Sequence, residues 1–416
     1  MPMTDREFDL VLYGATGFSG GLTAHHLATA APAGARIALA GRSLDKLETV
    51  RAALPAGAHR WPLLHADSTD PASLNALAAR TKVVATTVGP YIHHGAALVQ
   101  ACAHAGTHYT DLTGEPLFVR NCIDQFHDLA TETGAKIVHS CGFDSIPSDL
   151  SVYQLHRRAI ADNAGELTDT TLVASLKGSM SGGTIASLRA MLEAAADPAS
   201  AQVLSHPYSL TPDKTRDPTV GRQNDHTLQR ASTIDTSLHG WVATFPMAQH
   251  NTKIVRRSNA LLGWEYGEKF RYREVMSMGT SRLSPVYAAA ASGGVAALTA
   301  AGTLLSRIKT GRRLLDRALP KPGTGPSETA LRAGWFTMKT FADTTTGTRY
   351  KATFAAAGDP YHGTAIMLGE AALTLAFDTL PTQAGILTPA AAMGDALTTR
   401  LHNADGFTIQ ITPTTA

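Results

Sequence analysis

Seven residues, Gly14-Ala15-Thr16-Gly17-Phe18-Ser19-Gly20, stand directly after the apolar run Leu10-Val11-Leu12-Tyr13 and directly before a helical pattern. Their types suit one task. A pyrophosphate lies against backbone N–H groups at a helix N-terminus, where the dipole favours negative charge. Residues lacking a Cβ let the chain turn tightly and come that close. The spacing G-x-x-G-x-x-G departs from G-x-G-x-x-G, but the strand–turn–helix setting is that of a dinucleotide site; the competing reading is a plain tight turn. Gly14, Thr16, Gly17, Phe18, Ser19 and Gly20 are expected to hold the cofactor.

The second strand ends in Ala38-Leu39-Ala40-Gly41-Arg42-Ser43, with no carboxylate until Asp45. An acidic residue there would bind a ribose 2′-OH, whereas an arginine accommodates a 2′-phosphate. Arg42 and Ser43 therefore point to NADP(H) over NAD(H), unless Arg42 is only a solvated surface residue. Asp67 closes the third strand, placed either to meet the adenine edge or to cap a helix or turn.

Three further strand ends face the crevice in which open α/β sheets bind ligand: Thr86–Tyr91, Asp111–Glu115 and Cys141–Pro147. Thr87, Gly89 and Pro90 are expected to border the ribose and nicotinamide. Tyr91, Glu115, Asp144 and Ser145 could donate or relay a proton, or serve only as turn and cap residues. Farther on, Lys177 opens the run Lys177–Thr184 between a strand and a helix over Ile185–Ala195. Lys177 could neutralise an anionic or carbonyl group of a substrate, or the run could be a plain loop. The catalytic candidates are thus Tyr91, Asp144 and Lys177.

Other chemistries find no support. The 17 histidines form no ligand pattern, with His25-His26 on a helix and His93-His94 on a loop, so no metal is expected. There is no G-x-S-x-G elbow for a serine nucleophile. A formal charge of +2 without long charged blocks gives no footprint for nucleic acid. Cys102, Cys122 and Cys141 are odd in number and lack a C-x-x-C, which suits a reduced cytoplasmic protein. Asp5, Glu7 and Asp9 run straight into a strand, unlike a secretory signal.

The elements that must position these residues follow from periodicity. Strands are expected at Asp9–Ala15, Arg36–Gly41, Trp61–Ala66, Lys82–Val88, Tyr109–Leu112 and Lys136–Ser140, alternating with helices at Gly20–Ala30, Leu44–Ala53, Pro71–Arg80, Gly95–Ala105 and Pro116–Thr133. Such alternation makes βαβ units, right-handed crossovers and a parallel sheet. The fold expected is α/β: a Rossmann-type dinucleotide domain over residues 1–150, then an α+β domain with a mixed or antiparallel sheet over 151–360. C-terminal helices over 361–416 return to the first domain.

In the second part, a helix is expected at Asp149–Ala159 and strands at Thr168–Lys177, Gly240–Phe245 and Phe270–Met276. A hairpin joins Gly334–Thr344 to Arg349–Ala355, residues 205–235 form an exposed excursion, and His362–Asp378 and Pro389–Leu401 are helical. The run 283–306 has no charged residue, and Arg307, Lys309, Arg312, Arg313 and Arg317 follow it. It is long enough to span a bilayer but rich in Ala, Gly and Ser. It reads as a buried or substrate-lining helix, as an interfacial helix touching acidic lipid through 283–320, or as a span.

The motifs YGATGFSG, LAGRS, TTVGPY, YTDLTGE, CGFDSIPSD, SGGTIAS, NTKIVRRSNALL, PKPGTGPS and LTPAAAMGDAL occur here in that order. Together they resemble the saccharopine dehydrogenase-like family, and most closely its mycobacterial trans-acting enoyl reductase branch. The resemblance runs through essentially the whole chain. It implies an NADP(H)-dependent oxidoreductase that reduces a carbon–carbon double bond of an acyl chain held by a polyketide synthase. The products implied are complex lipids of the phthiocerol and phenolphthiocerol type. Carried over residue by residue, it assigns Gly14, Gly17, Gly20, Arg42 and Ser43 to the cofactor and supplies no catalytic residue. The alternatives are a saccharopine-type or other C=O or C=N reductase, or a non-catalytic, lipid-associated NADP-binding protein.

Overall fold

The structure, a computed structural model, describes residues 6–178, 182–211, 223, 228–294 and 325–414. In chain order the first part runs β1 (Phe8–Tyr13), α1 (Phe18–Ala30), β2 (Ile37–Gly41), α2 (Leu44–Ala53), β3 (Leu63–His65), α3 (Pro71–Arg80) and β4 (Thr81–Thr86). It continues with α4 (Tyr91–His94), α5 (Ala96–Ala105), β5 (His108–Asp111), α6 (Pro116–Thr133), β6 (Lys136–Val138) and α7 (Ile146–Ala161). The second part holds β7 (Leu167–Lys177), α8 (Gly182–Ala194), α9 (Pro198–Ser205), β8 (Gln229–Arg230), β9 (Trp241–Thr244), α10 (Ala248–Leu261) and β10 (Arg271–Ser277). The last part comprises α11 (Glu328–Ala333), β11 (Trp335–Thr344), β12 (Arg349–Ala357), α12 (Pro360–Phe377), β13 (Gly385–Leu387), α13 (Pro389–Asn403) and β14 (Phe407–Thr414).

Local chemistry sets these boundaries. Ser43 caps α2 through Lys46 N, and Asp70 caps α3 through Ala72 N with Pro71 in the first turn. Gly106 and Gly134 stop α5 and α6 in the left-handed conformation. All six residues of β1 are buried, as both faces of its sheet are covered by helices. That sheet has the order β3-β2-β1-β4-β5-β6-β13, parallel throughout. The strand order reverses between β1 and β4, so the crevice of the switch point opens beside Gly14.

The second sheet has the order β14-β12-β11-β7-β10-β9-β8. It is mixed: β7 and β10 pair in parallel, and the other neighbours are antiparallel. Phe336, Met338, Thr340 and Ala342 alternate inward along β11 against the core.

The structure departs from the sequence reading in several places. The C-terminal segment is not helical alone. Gly385–Leu387 enters the first sheet beside β6, and Phe407–Thr414 forms an edge of the second. The helix expected from Asp149 begins at Ile146, with Pro147 in its first turn, where a missing N–H costs nothing. His93 and His94 lie in the short helix α4 and not on a loop. The excursion expected over 205–235 is in part buried, because Tyr208, Leu210 and Thr211 pack inward; 212–222 and 224–227 lie outside the described residues.

Of the uncharged run, residues 284–294 are helical and 295–306 lie outside the described residues. The visible part is not a buried helix, since Leu283, Val286 and Tyr287 are exposed. Among the described residues no helix is long and apolar enough to cross a membrane.

Candidate cofactor and active site

The glycines of the first turn hold it closed. Gly14 sits at φ +98°, and a Cβ there would stand 2.7 Å from Val88 Cγ2 and 2.8 Å from Thr87 Oγ1. A Cβ on Gly20 would collide with the Gly14 carbonyl oxygen, so α1 crosses β1 as closely as backbone allows. Gly17 differs, since its Cβ would meet only Gly14 O, at 3.4 Å. Gly17 is the N-cap of α1 and no side chain caps it, so the first-turn amides are left for a ligand. Thr87 donates its hydroxyl to Gly14 O (3.1 Å), which ties the end of β4 to this turn. Phe18 packs edge-on against Tyr361, at 5.6 Å between ring centres. These features fit a dinucleotide's pyrophosphate.

The end of β2 fits a 2′-phosphate. Arg42 is exposed there, close enough to Asp67 and Tyr13 for its charge to act on both. Asp67 accepts from Thr69 N (2.9 Å) and Thr69 Oγ1 (2.8 Å), which lowers its pKa, so its carboxylate first of all closes a turn. Ser43 is engaged as the cap of α2. His94, given no role by the sequence reading, also faces this corner: burial lowers its pKa, and the charges of His93 and Arg42 lower it further.

The turn after β4 contains a cis Gly89–Pro90 bond. Tyr91, next along, is buried; its hydroxyl donates to Thr86 O (3.1 Å) and accepts from Leu112 N (3.2 Å). Burial pushes its pKa well up, so Tyr91 braces the ends of β4 and β5 and offers no proton to the crevice. Glu115 is fully buried and accepts from Tyr91 N (3.0 Å), Ile92 N (2.7 Å) and Ser187 Oγ (2.6 Å). Beneath them, the Asp111 carboxylate takes bonds from Tyr109 OH (2.9 Å), His139 Nδ1 (2.7 Å), Thr113 N (3.0 Å) and Ser140 N (2.9 Å). Ser140, held at φ +64°, links this layer to His250 Nε2 (2.8 Å).

Asp144 differs from its buried neighbours. It follows β6 at the crevice and keeps part of its surface open. A Cβ on Gly114 would stand 3.3 Å from Asp144 Oδ2 and 3.5 Å from Met247 Cε. Burial raises its pKa to about 6, and among the described residues no cation offsets that cost. Ser145, by contrast, donates to Asn251 Oδ1 (3.1 Å), and Asn251 Nδ2 donates to Glu274 Oε2 (2.9 Å). Lys177 is exposed at the end of β7, opposite Trp335. Three of the proton-relay candidates, Tyr91, Glu115 and Asp144, lie close enough for the two carboxyls to act on the Tyr91 hydroxyl, whereas Ser145 is buried and Lys177 is exposed.

The sequence reading missed α10, whose polar residues Asn251–Asn259 are buried. They hold chain that comes from elsewhere: Lys253 donates to His206 O (2.9 Å), Arg256 to Pro207 O (3.3 Å), and Arg257 to the carbonyls of Leu210 and Ile386. Burial pushes Arg257 down to about 9. Among the described residues no group of His, Cys, Asp and Glu has metal-site geometry.

The saccharopine dehydrogenase NADP-binding domain matches residues 10–138. A trans-acting enoyl reductase of Mycobacterium tuberculosis is 50% identical to this chain over 97% of it and 98% of the relative. The chain belongs to the trans-acting enoyl reductases of the saccharopine dehydrogenase-like family. The Mycobacterium leprae trans-acting enoyl reductase is 51% identical over 96% of each chain. Apo saccharopine dehydrogenase (L-glutamate-forming) of Saccharomyces cerevisiae shares the fold at 11% identity, with a TM-score of 0.56 over 98% of this chain and 99% of its own. As a member of this family the chain is an oxidoreductase with an NADP-binding domain.

Proposed function

We propose that the protein is an NADPH-dependent enoyl reductase acting in trans on an acyl chain carried by a polyketide synthase's acyl-carrier domain, in the making of phthiocerol-type lipids. Gly14, Thr16, Gly17, Phe18, Ser19 and Gly20 would hold the pyrophosphate, Arg42 and Ser43 the 2′-phosphate, Asp67 the adenosine side, and Thr87, Gly89 and Pro90 the nicotinamide side. NADPH, when bound, supplies the hydride that adds to the β-carbon of the enoyl thioester.

The observation that carries the reading is Asp144, a partly exposed residue after β6 whose carboxyl has its pKa raised by burial to about 6. As electrons move onto the thioester oxygen, the α-carbon becomes basic and takes the Asp144 proton. The carboxylate left behind regains a proton from water. Tyr91 positions the strand ends on which the reaction takes place. Lys177, exposed at the rim, is assigned to an anionic part of the incoming substrate.

NADPH oxidation in the presence of an enoyl thioester on an acyl-carrier domain tests this. Formation of the saturated thioester supports it. NADPH binding without turnover at any chain length rejects it, and consumption of a keto acid plus an amino acid would replace it with a C=N reductase.

The exposed Leu283 (55%), Val286 (60%) and Tyr287 (52%) support peripheral contact with the inner face of the plasma membrane through 283–320. Failure to sediment with anionic phospholipid vesicles would remove that part alone.

A further inference from the structure

Glu115 joins two regions that the chain itself keeps far apart. Its carboxylate accepts both opening amides of α4, Tyr91 N at 3.0 Å and Ile92 N at 2.7 Å, immediately after the Gly89–Pro90 turn. Its third partner is Ser187 Oγ at 2.6 Å, on α8, which follows the end of β7 in the second sheet. Among the described residues no cation pairs with it, so three hydrogen bonds alone support a fully buried charge. Burial raises its pKa, while the bonds from Ser187, Ile92 and Tyr91 lower it. Losing any one donor weakens the case for ionisation and hence the other two bonds.

We propose that Glu115 is a positioning residue that latches α8, and with it the Lys177 end of β7, to the turn bordering the nicotinamide, so that cofactor and substrate regions are set together. The proposal rests on the cofactor reading above, but not on the reaction. A ligand that fixes the turn must strengthen the Ser187 bond, and by linkage whatever holds α8 must favour that ligand.

Hydrogen exchange of the full chain with and without NADPH tests it, read in peptides covering 186–194. In the wild type, NADPH should slow exchange there by about fivefold or more, the low end of ordinary couplings. Ser187→Ala should abolish that protection and, by the same linkage, raise the NADPH Kd by a comparable factor, and Ser187→Thr, which keeps the hydroxyl, should restore both. Glu115→Gln puts an N–H against one of the amides and should also uncouple α8. Equal protection in Ser187→Ala and wild type, or none in the wild type despite NADPH binding, overturns the latch. NADPH-dependent protection without enoyl turnover would sink the proposed reaction and leave the latch standing.

Discussion

Removing Arg42 should separate the two nicotinamide cofactors. The side chain is exposed at the end of β2, so the bond proposed for it to a 2′-phosphate would be charge-assisted but solvated. Charge-assisted hydrogen bonds contribute about 1.5–3 kcal/mol, and solvent exposure places this one at the low end. Arg42→Ala should therefore cost about 1.5 kcal/mol of NADPH affinity, roughly a tenfold rise in Kd. Asp67, whose carboxylate lies within reach of the Arg42 charge, would then face the phosphate without an intervening cation and add to the loss. NADH has no 2′-phosphate, so its Kd should hardly move. Fluorescence titration with both cofactors at low and high salt measures this directly. Equal weakening of NADPH and NADH, or a wild type that binds both equally, refutes the assignment of Arg42.

Other consequences concern the frame around the site. Gly20→Ala puts a Cβ into the Gly14 carbonyl and should lower Tm and abolish NADPH binding, whereas Gly17→Ala, with 3.4 Å of room, should fold with nearly unchanged Tm; thermal melts of the pair check the contrast. Ser140→Ala keeps the φ of +64° and leaves His250 Nε2 without its partner, so it should cost about 1–3 kcal/mol in denaturant unfolding. Asp149 is fully buried, accepts from Ser258 Oγ and Ala390 N, and has its pKa raised by burial to about 7. A carboxyl whose folded pKa is raised stabilises the fold at low pH and loses that contribution as pH rises through the folded value. Unfolding free energy should thus fall between about pH 4 and 8, by an amount on the order of 4 kcal/mol from this group, and Asp149→Asn should flatten the curve. By the same sign, kcat/KM should decline as pH rises past the Asp144 value of about 6, and Asp144→Asn should remove that limb along with most of the turnover.

Much of the first sheet could be read directly from sequence because its signals are local. Buried strands are apolar end to end, and Gly14 and Gly20 must lack side chains where backbone meets backbone. The position of Arg42 just after the second strand was legible for the same reason. The hidden features depend on partners distant in sequence. Gly385–Leu387 is too short to declare itself a strand until Lys136–Val138 lies beside it. The polar helix Ala248–Leu261 looks like a surface until Lys253, Arg256 and Arg257 are seen holding carbonyls of 206–210 and Ile386. Glu115 and Tyr91 looked like proton donors because their type and strand-end position allow it, and burial with satisfied hydrogen bonds is invisible in one dimension. Asp144 looked no different in sequence, yet it alone of the three carboxyl and phenol groups keeps an open side.

The central claim, hydride delivery to an enoyl β-carbon with protonation at the α-carbon, is tested most directly by isotope placement. NADPH deuterated at the transferred position should give a saturated thioester with one deuterium on the β-carbon and, in ordinary water, none on the α-carbon. Deuterium on a carbonyl or imine carbon, or a reduced product with no deuterium at all, would contradict it.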